Sequence, residues 1–355
     1  MAKSGNFSES LAGSVKETAV LRSLRGKILG GVFPPGSRLP TRMDLEQEFG
    51  LGWSPIQRAF NRLKSDGFVK SRGRMGTYVA DHPPHLSRFG LLFPARSSVS
   101  AFWDALLRAA GQVVQTQARG VDVYHASDGE NAEEQKRLEH DILADRLAGV
   151  AFMYPAQELS HSPIVTRPGI PRVVLSATHL TDFPSITCDI ASFFTRAFQH
   201  LAGKSRRRVA HFGARVVPAH FERYASEAGV TTHPHWVHLF SNGSFDSARS
   251  VANLLMRAAP ENRPDALIIS DDNLTEHVMA GLVDAGLRTD QQNLAIVAHF
   301  NHPNPRATLL PARWLGFDCR EIIGKCIELI DIQRRGLSAP NVTTISPLFD
   351  DEMKK

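Results

Sequence analysis

The sequence predicts two domains of different class: a small α+β unit at the N-terminus, then a larger α/β body made of two open lobes. Three observations lead there. The chain has 355 residues, more than one core of ordinary size needs. Its first eighty or so residues read as three helices followed by two short strands. Beyond a stiff joint at Asp81-His82-Pro83-Pro84-His85, short apolar strands alternate with amphipathic helices, the pattern of parallel sheets with helices on both faces.

Residues 1–14 are rich in Ser, Gly and Asn without apolar period, and are expected to be a disordered leader. The first unit spans 15–81. In it, Val20, Leu21, Leu24, Ile28 and Leu29 share one helical face, which ends at Gly30-Gly31. After the Pro34-Pro35-Gly36 turn, Thr41 is placed to cap a helix running through Phe49. Ser54 followed by Pro55 predicts a third helix start, with Ile56, Ala59, Phe60 and Leu63 facing inward. Strands 68–71 and 77–80 close the unit around a glycine-rich turn.

Residues 82–87 form the linker and 88–355 the body. Its expected strands are 89–93, 121–124, 149–154, 172–175, 208–212, 235–239, 266–269 and 294–297. Between most of them lie helical patterns at 102–118, 131–146, 190–202, 220–228, 246–258 and 273–285. So many strands imply two lobes.

Composition narrows the function. With 42% hydrophobic and 22% charged residues, the chain is of ordinary folded type. It has neither a membrane-length apolar run nor an apolar N-terminal segment, which predicts a cytoplasmic, nucleoid-associated protein without a membrane partner. Cys188, Cys319 and Cys326 are odd in number and lack metal-ligand spacing, so core packing is their expected role. Residues 1–82 carry thirteen Lys and Arg against seven Asp and Glu, whereas the remainder is almost neutral. A small basic unit on a neutral body suits a polyanion, because neutralised phosphates release counterions.

Three helices and a two-stranded wing, in that order, predict a winged helix-turn-helix whose third helix enters the major groove of double-stranded DNA. Gln57, Arg58, Asn61 and Arg62 would project from that helix. Ser54 sits at its positive N-terminus, where a phosphate can dock. Glutamine suits adenine and arginine suits guanine. In the turn of the wing, Arg72 and Arg74 stand among glycines, including Gly76, and can approach a minor groove.

The stretch from Gly31 to Thr41, then Leu45, Gln57 to Phe60, Leu63 to Gly67 and Gly76-Thr77-Tyr78-Val79 resembles the DNA-binding domain of GntR-family bacterial regulators over about residues 16–80. The resemblance implies DNA contacts near Thr41 and Arg42, with Met43 in the place of the family's arginine. The Ser-Arg that opens the family's recognition helix corresponds to Gly52-Trp53, and its Thr-Val-Arg to Pro55-Ile56-Gln57.

Two open α/β lobes make a ligand clamp, since small molecules bind at the carboxyl ends of parallel strands. Residues 88–349 resemble the effector domain of LacI/GalR-type repressors, which is similar to periplasmic sugar-binding proteins. Ser185 to Asp189, Arg207 to Ala210, Arg263 to Leu267, Ser270 to Asp272 and Leu294 to Val297 carry the likeness.

Position at strand ends gives the candidate effector residues. Phe102 and Trp103 would stack on a sugar or fill the core. Asp272 would accept hydroxyl protons or cap a helix. Arg215 would pair with a ligand oxygen or be a loop cation. The resemblance adds Asp189, followed by Phe193-Phe194 in place of a small pair, and Asn301 where the family has Asp. Residues 217–221 read Val-Pro-Ala-His-Phe, which departs from the family's Arg-x-x-Gly-Phe and points away from a simple sugar.

No catalytic constellation, cofactor loop or zinc-protease helix occurs. His233, His235, His238, His299 and His302 have no metal-cluster spacing, and the alternation of a strand would turn His235 and His238 apart. No cofactor and no metal are expected. The sequence therefore predicts a homodimeric regulator, controlled by a small-molecule effector that is a sugar or derivative, acting as a repressor on a two-fold DNA operator, and not an enzyme. The alternative is a DNA-binding regulator whose body has lost its ligand and only dimerises.

Overall fold

The computed structural model describes residues 5–95, 100–117, 119–127, 132–176, 183–214, 218–241, 245–288, 294–306 and 309–353. The N-terminal head comprises α1 (Gly5–Leu29), α2 (Arg42–Phe49), α3 (Trp53–Ser65), β1 (Val69–Ser71) and β2 (Thr77–Val79). Val20, Leu24 and Ile28 recur every four residues on α1 and so form one stripe. They meet Leu45 of α2 and Ile56, Ala59, Phe60 and Leu63 of α3 in one closed core. Each large side chain buried this way contributes about 1.5–3 kcal/mol. β1 and β2 pair antiparallel, Val69 opposite Val79, to form the wing.

Two expectations for the head are corrected. α1 runs back to Gly5, into the segment expected to be a disordered leader. α3 starts at Trp53 on Gly52, without a side-chain cap. Pro55 is tolerated because first-turn N–H groups lack intrahelical acceptors anyway. The Ser54 hydroxyl accepts from Arg58 Nη1 at 2.7 Å instead of capping.

The joint is more than a stiff spacer. It folds into a helical turn, α4 (Pro84–Ser87), whose His85 stacks on the fully buried Phe68 of the head at 5.7 Å.

The body holds two six-stranded sheets. The first lobe contains β3 (Arg88–Phe93), α5 (Ala101–Gln117), β4 (Gly120–His125), α6 (Ala132–Leu143), β5 (Gly149–Phe152), α7 (Pro163–Thr166), β6 (Arg172–Leu175) and β7 (Ser185–Cys188). The chain then crosses into the second lobe. That lobe contains α8 (Ile190–Gly203), β8 (Val209–Gly213), α9 (Pro218–Glu227), β9 (Val237–Leu239), α10 (Phe245–Arg257), β10 (Ala266–Ile269), α11 (Asp272–Asp284), β11 (Ala295–His302) and β12 (Arg313–Asp318). It returns to the first lobe as α12 (Cys319–Arg334) and β13 (Val342–Ile345), then crosses again to β14 (Leu348–Phe349).

Sheet orders are β13-β7-β6-β5-β3-β4 and β14-β12-β11-β10-β8-β9, parallel except for β14 against β12. The chain therefore passes between the lobes three times, after Cys188, at Asp318 and between Ile345 and Leu348.

Some differences from the sequence reading bear on the site. β11 extends to His302, five residues beyond its expected end, which carries His299 and Asn301 into the interlobe region. His235 belongs to a 3-10 turn, Pro234–Trp236, so the strand argument that separated it from His238 does not apply. There the His233 and His235 rings stack at 5.3 Å. β7, β12, β13, β14 and α12 were not anticipated as elements. β14 has only two residues, and α12 buries Cys319, Ile322, Ile323, Cys326, Ile327, Leu329 and Ile330, an apolar face at helical spacing that the sequence reading passed over.

Gly281 lets α11 press against α10. A Cβ built there would stand 2.1 Å from the carbonyl oxygen of Arg249. Gly281→Ala is expected to destabilise the second lobe by about 1–3 kcal/mol or more, read as a lower urea midpoint.

Candidate DNA interface and interlobe cleft

Thr41 caps α2 in a reciprocal capping box: its hydroxyl accepts from the Asp44 N–H, while the Asp44 carboxylate accepts from the Thr41 N–H at 2.8 Å. The Thr41 hydroxyl also donates to Asp44 Oδ2 at 2.7 Å, and that bond, followed by the one from the Thr41 N–H, holds Asp44 below the usual carboxylate range while the box fixes the start of the helix. Arg42, next along, lays its guanidinium 5.8 Å from the Trp53 ring centre, tying the start of α2 to the start of α3.

On α3, Gln57 Nε2 donates to Asn61 Oδ1 at 2.7 Å. Arg58 pairs with Glu17 of α1 at 2.8 Å. Arg62 donates to Asp66 at 3.2 Å, and its Nη2 lies 3.1 Å from His140 Nε2 in the body. Asp66 is buried and also takes Arg25 Nη2 at 2.7 Å. In the wing, Arg72 stacks over Tyr78 at 4.5 Å, and Arg74 is exposed on the short 3-10 turn. Gly76, at φ +108°, lets the turn close over Arg38, whose Nε would lie 3.1 Å from a Cβ at that position.

The cationic side chains Arg42, Arg58, Arg62, Arg72 and Arg74 are thus all exposed on α2, α3 and the wing. α3 and the wing are held in a fixed relation by the shared core.

The second candidate site lies where the lobes meet. At the start of α5, the Ala101 N–H donates to Asn273 Oδ1 of α11 at 2.9 Å, and Asn304 Nδ2 donates to the Ala101 carbonyl at 2.6 Å. Beside this latch is a pocket of about 380 Å³, lined among others by Ala101, Asp272, His299, Asn301, Asn304 and Trp314. Asp272, His299 and Asn301 stand at the carboxyl ends of the parallel strands β10 and β11, as ligand groups of open α/β sheets do.

Asn301 Nδ2 donates to Asp272 Oδ2 at 2.8 Å. Burial raises the Asp272 carboxyl pKa, against the opposing pull of His299 and the hydrogen bond from Asn301. Asn301 Oδ1, Asn304 Oδ1 and both ring nitrogens of His299 are buried without a hydrogen-bond partner. Groups left in that state call for a ligand or water.

The other candidates are placed differently. Asp189 caps α8, accepting from the Ser192 N–H at 2.9 Å and the Ser192 hydroxyl at 2.7 Å. Phe102 and Trp103 pack on the first-lobe core, away from the pocket-lining set. Arg215 and Val217 lie outside the described residues. Phe193 and Phe194 are buried in the second-lobe core: Phe193 meets His299 edge-to-face at 5.4 Å, and Phe194 meets His211 at 5.3 Å.

His299, Asn304, Thr275, Glu276 and Trp314 were not anticipated as pocket residues. Strand alternation puts His299 and Asn301 on one face, a signal that the longer β11 makes usable. Among the described residues, no group of three or more His, Cys, Asp or Glu is placed to hold a metal, and no helix is long and apolar enough to cross a membrane. Cys188, Cys319 and Cys326 are unbridged, Cys319 and Cys326 being buried.

Residues 16–79 match the family described as bacterial regulatory proteins, gntR family. The match takes in most of the head. The chain is 38% identical over 65 residues to an HTH-type transcriptional regulator of Mycobacterium tuberculosis, a match covering 17% of this chain and 54% of that protein.

The chain is also 21% identical over 175 residues to the arabinose metabolism transcriptional repressor of Halalkalibacterium halodurans, covering 46% of each. It thus spans about half the length of these curated relatives. A LacI-family regulatory protein from Chloroflexus aggregans superposes with a TM-score of 0.57 at 20% identity, over 74% of this chain and 96% of that one. A probable maltose operon transcriptional repressor from Staphylococcus gives 0.56 at 12% identity, over 76% and 96%. A gntR head is therefore joined to a body with the periplasmic-binding-protein-like fold of LacI-family regulators.

Burial pushes His211 down to about 3, with a smaller contribution from His238, and its Nε2 lies 2.7 Å from Ser270 Oγ. Between about pH 3 and the free value near 6.5, the unfolded chain binds this proton and the folded chain does not. Stability from this residue is therefore complete above about pH 6.5 and falls as the pH drops through that window. Urea midpoints measured from pH 7 to pH 5 should decrease, and His211→Gln should flatten the slope.

Proposed function

We propose that the chain is a ligand-responsive transcription regulator that acts as a repressor. The head binds a double-stranded DNA operator, and the interlobe pocket binds a small-molecule effector. The observation that carries the reading is the joining of a gntR head, with five exposed arginines on α2, α3 and the wing, to a two-lobed body whose pocket holds buried polar atoms without partners. A homodimer would present two heads to a two-fold site, since one small wing domain buries too little for tight specific binding.

The polar lining at the carboxyl ends of β10 and β11 favours a working pocket over a body retained only for dimerisation, because ligands of open α/β sheets bind there. The lining matches a neutral polyhydroxylated or amino ligand. Asp272, Asn301 and Asn304 offer acceptors, whereas Arg306, the cation of the lining, is already paired with Asp350 at 2.5 Å. The relatives' printed names point to carbohydrates as one class to try: the Halalkalibacterium protein is named for arabinose metabolism, and a Lactobacillus casei LacI-family structure holds glucose.

Operator titration at several salt concentrations tests the head. Arg72→Ala and Arg74→Ala are each expected to lower the slope of log affinity against log salt by about one; unchanged slopes would remove the wing from the interface. A thermal-shift screen of sugars, amino sugars and nucleosides tests the pocket. A ligand at a hundredfold excess over its Kd should stabilise by about 2.7 kcal/mol, and Asn301→Ala should abolish that shift.

A further inference from the structure

The polar side chains of α3 are largely occupied within the protein. Arg58 is held by Glu17 and Ser54, Gln57 by Asn61, and Arg62 by Asp66 and His140. This end of the head also presents two large apolar groups. Trp53, the first residue of α3, is 58% exposed, and Met43, in the first turn of α2, is 77% exposed. Arg42 joins them, adjacent to Met43 in sequence and stacked on Trp53 in space.

Single exposed apolar residues carry no message. Two of this size, linked by a cation at the adjoining starts of two helices, do. The surroundings decide what covers them. Arg38, Arg42, Arg58, Arg72 and Arg74 are exposed on the same small domain, so a polyanion is the partner with complementary charge. In the major groove of DNA, the apolar feature is the C5-methyl group of thymine.

We propose that Trp53, supported by Met43 and held by Arg42, reads thymine methyl groups and sets the sequence preference of the head. This deepens the reading of the head as a DNA-binding domain and rests on it. The recognition helix would then select by apolar contact at its N-terminus, while its arginines, already paired within the protein, contribute to phosphate attraction.

The test uses the full chain and a duplex recovered by repeated selection from a randomised pool. Affinity is measured for that duplex and for the same duplex with deoxyuridine in place of thymine, which keeps the base pair and removes the methyl. The unmethylated duplex is expected to bind about fourfold more weakly for each contacted methyl. Trp53→Ala should weaken binding to the thymine duplex by the same factor and make the two duplexes equal. Met43→Ala should narrow the difference. Trp53 is exposed, so a thermal melt of Trp53→Ala that matches the parent excludes misfolding as the cause.

Equal affinity of the parent chain for both duplexes would overturn the assignment, and so would a thymine preference that survives Trp53→Ala. If no duplex is enriched from the pool, the DNA-binding reading itself fails. That outcome is distinct from an enriched duplex indifferent to the methyl, which refutes only the role of Trp53.

Discussion

Three passages of the chain between the lobes constrain the rest of this molecule. Each lobe has its own apolar core, and each sheet borrows strands from both sides of a crossing. β13 completes the first sheet after the chain has already built most of the second, and β14 returns to the second. Neither lobe can therefore separate from the other without breaking strand pairs. Relative motion is confined to bending at the crossings, two of which are followed at once by helices capped by Asp189 and Asp318. Caps fix where a helix begins, so any bend falls outside α8 and α12, at Asp189 and Asp318, where strand gives way to helix.

That constraint makes the pocket sensitive to lobe position. Ala101 comes from the first lobe, whereas Asp272, Asn273, His299, Asn301 and Asn304 come from the second. A ligand that satisfies the buried acceptors favours the arrangement in which Ala101 is bonded to both Asn273 and Asn304, and a ligand can shift an equilibrium only through such differential contacts. The head is joined to the first lobe by short contacts. Arg334 of α12 donates to the Leu86 carbonyl in the joint at 3.2 Å, His85 rests on Phe68, and Arg62 reaches His140 of α6. Burial of His85 in that joint pushes it down to about 4, so it is neutral at physiological pH and packs as an aromatic ring. In the proposed regulator, a turn of the first lobe would reach α3 through these packed groups instead of a free tether.

Much of the head was legible in the sequence because its signals are local. A four-residue apolar spacing, the Thr41 and Asp44 capping pair and a glycine turn each specify structure within a few residues. The start of α3 was misplaced by two residues because Ser54-Pro55 has the form of a cap, whereas Gly52 could supply the extended backbone without one. In the body, the strand-and-helix alternation was readable and the completing strands were not. β13 and β14 are short segments whose pairing is fixed by distant strands, and nothing within them records it. The pocket was half legible: Asp272 follows from strand-end position and Asn301 from the family resemblance, but His299 and Asn304 depend on the length of β11, and Asp189 caps α8. Phe102 and Trp103 had two readings from sequence, and the packing of α5 favours the core.

The central claim is that lobe position governs the DNA-binding head. Ala101 and Asn273, in contact across the cleft at 2.9 Å, allow this to be tested without knowing the ligand. In a chain carrying Ala101→Cys and Asn273→Cys, operator affinity is measured oxidised, with the lobes linked, and again after reduction. The account predicts at least a tenfold difference between the two states, absent from the parent chain under the same treatment. Equal affinity in both states, with the disulfide verified, would contradict it.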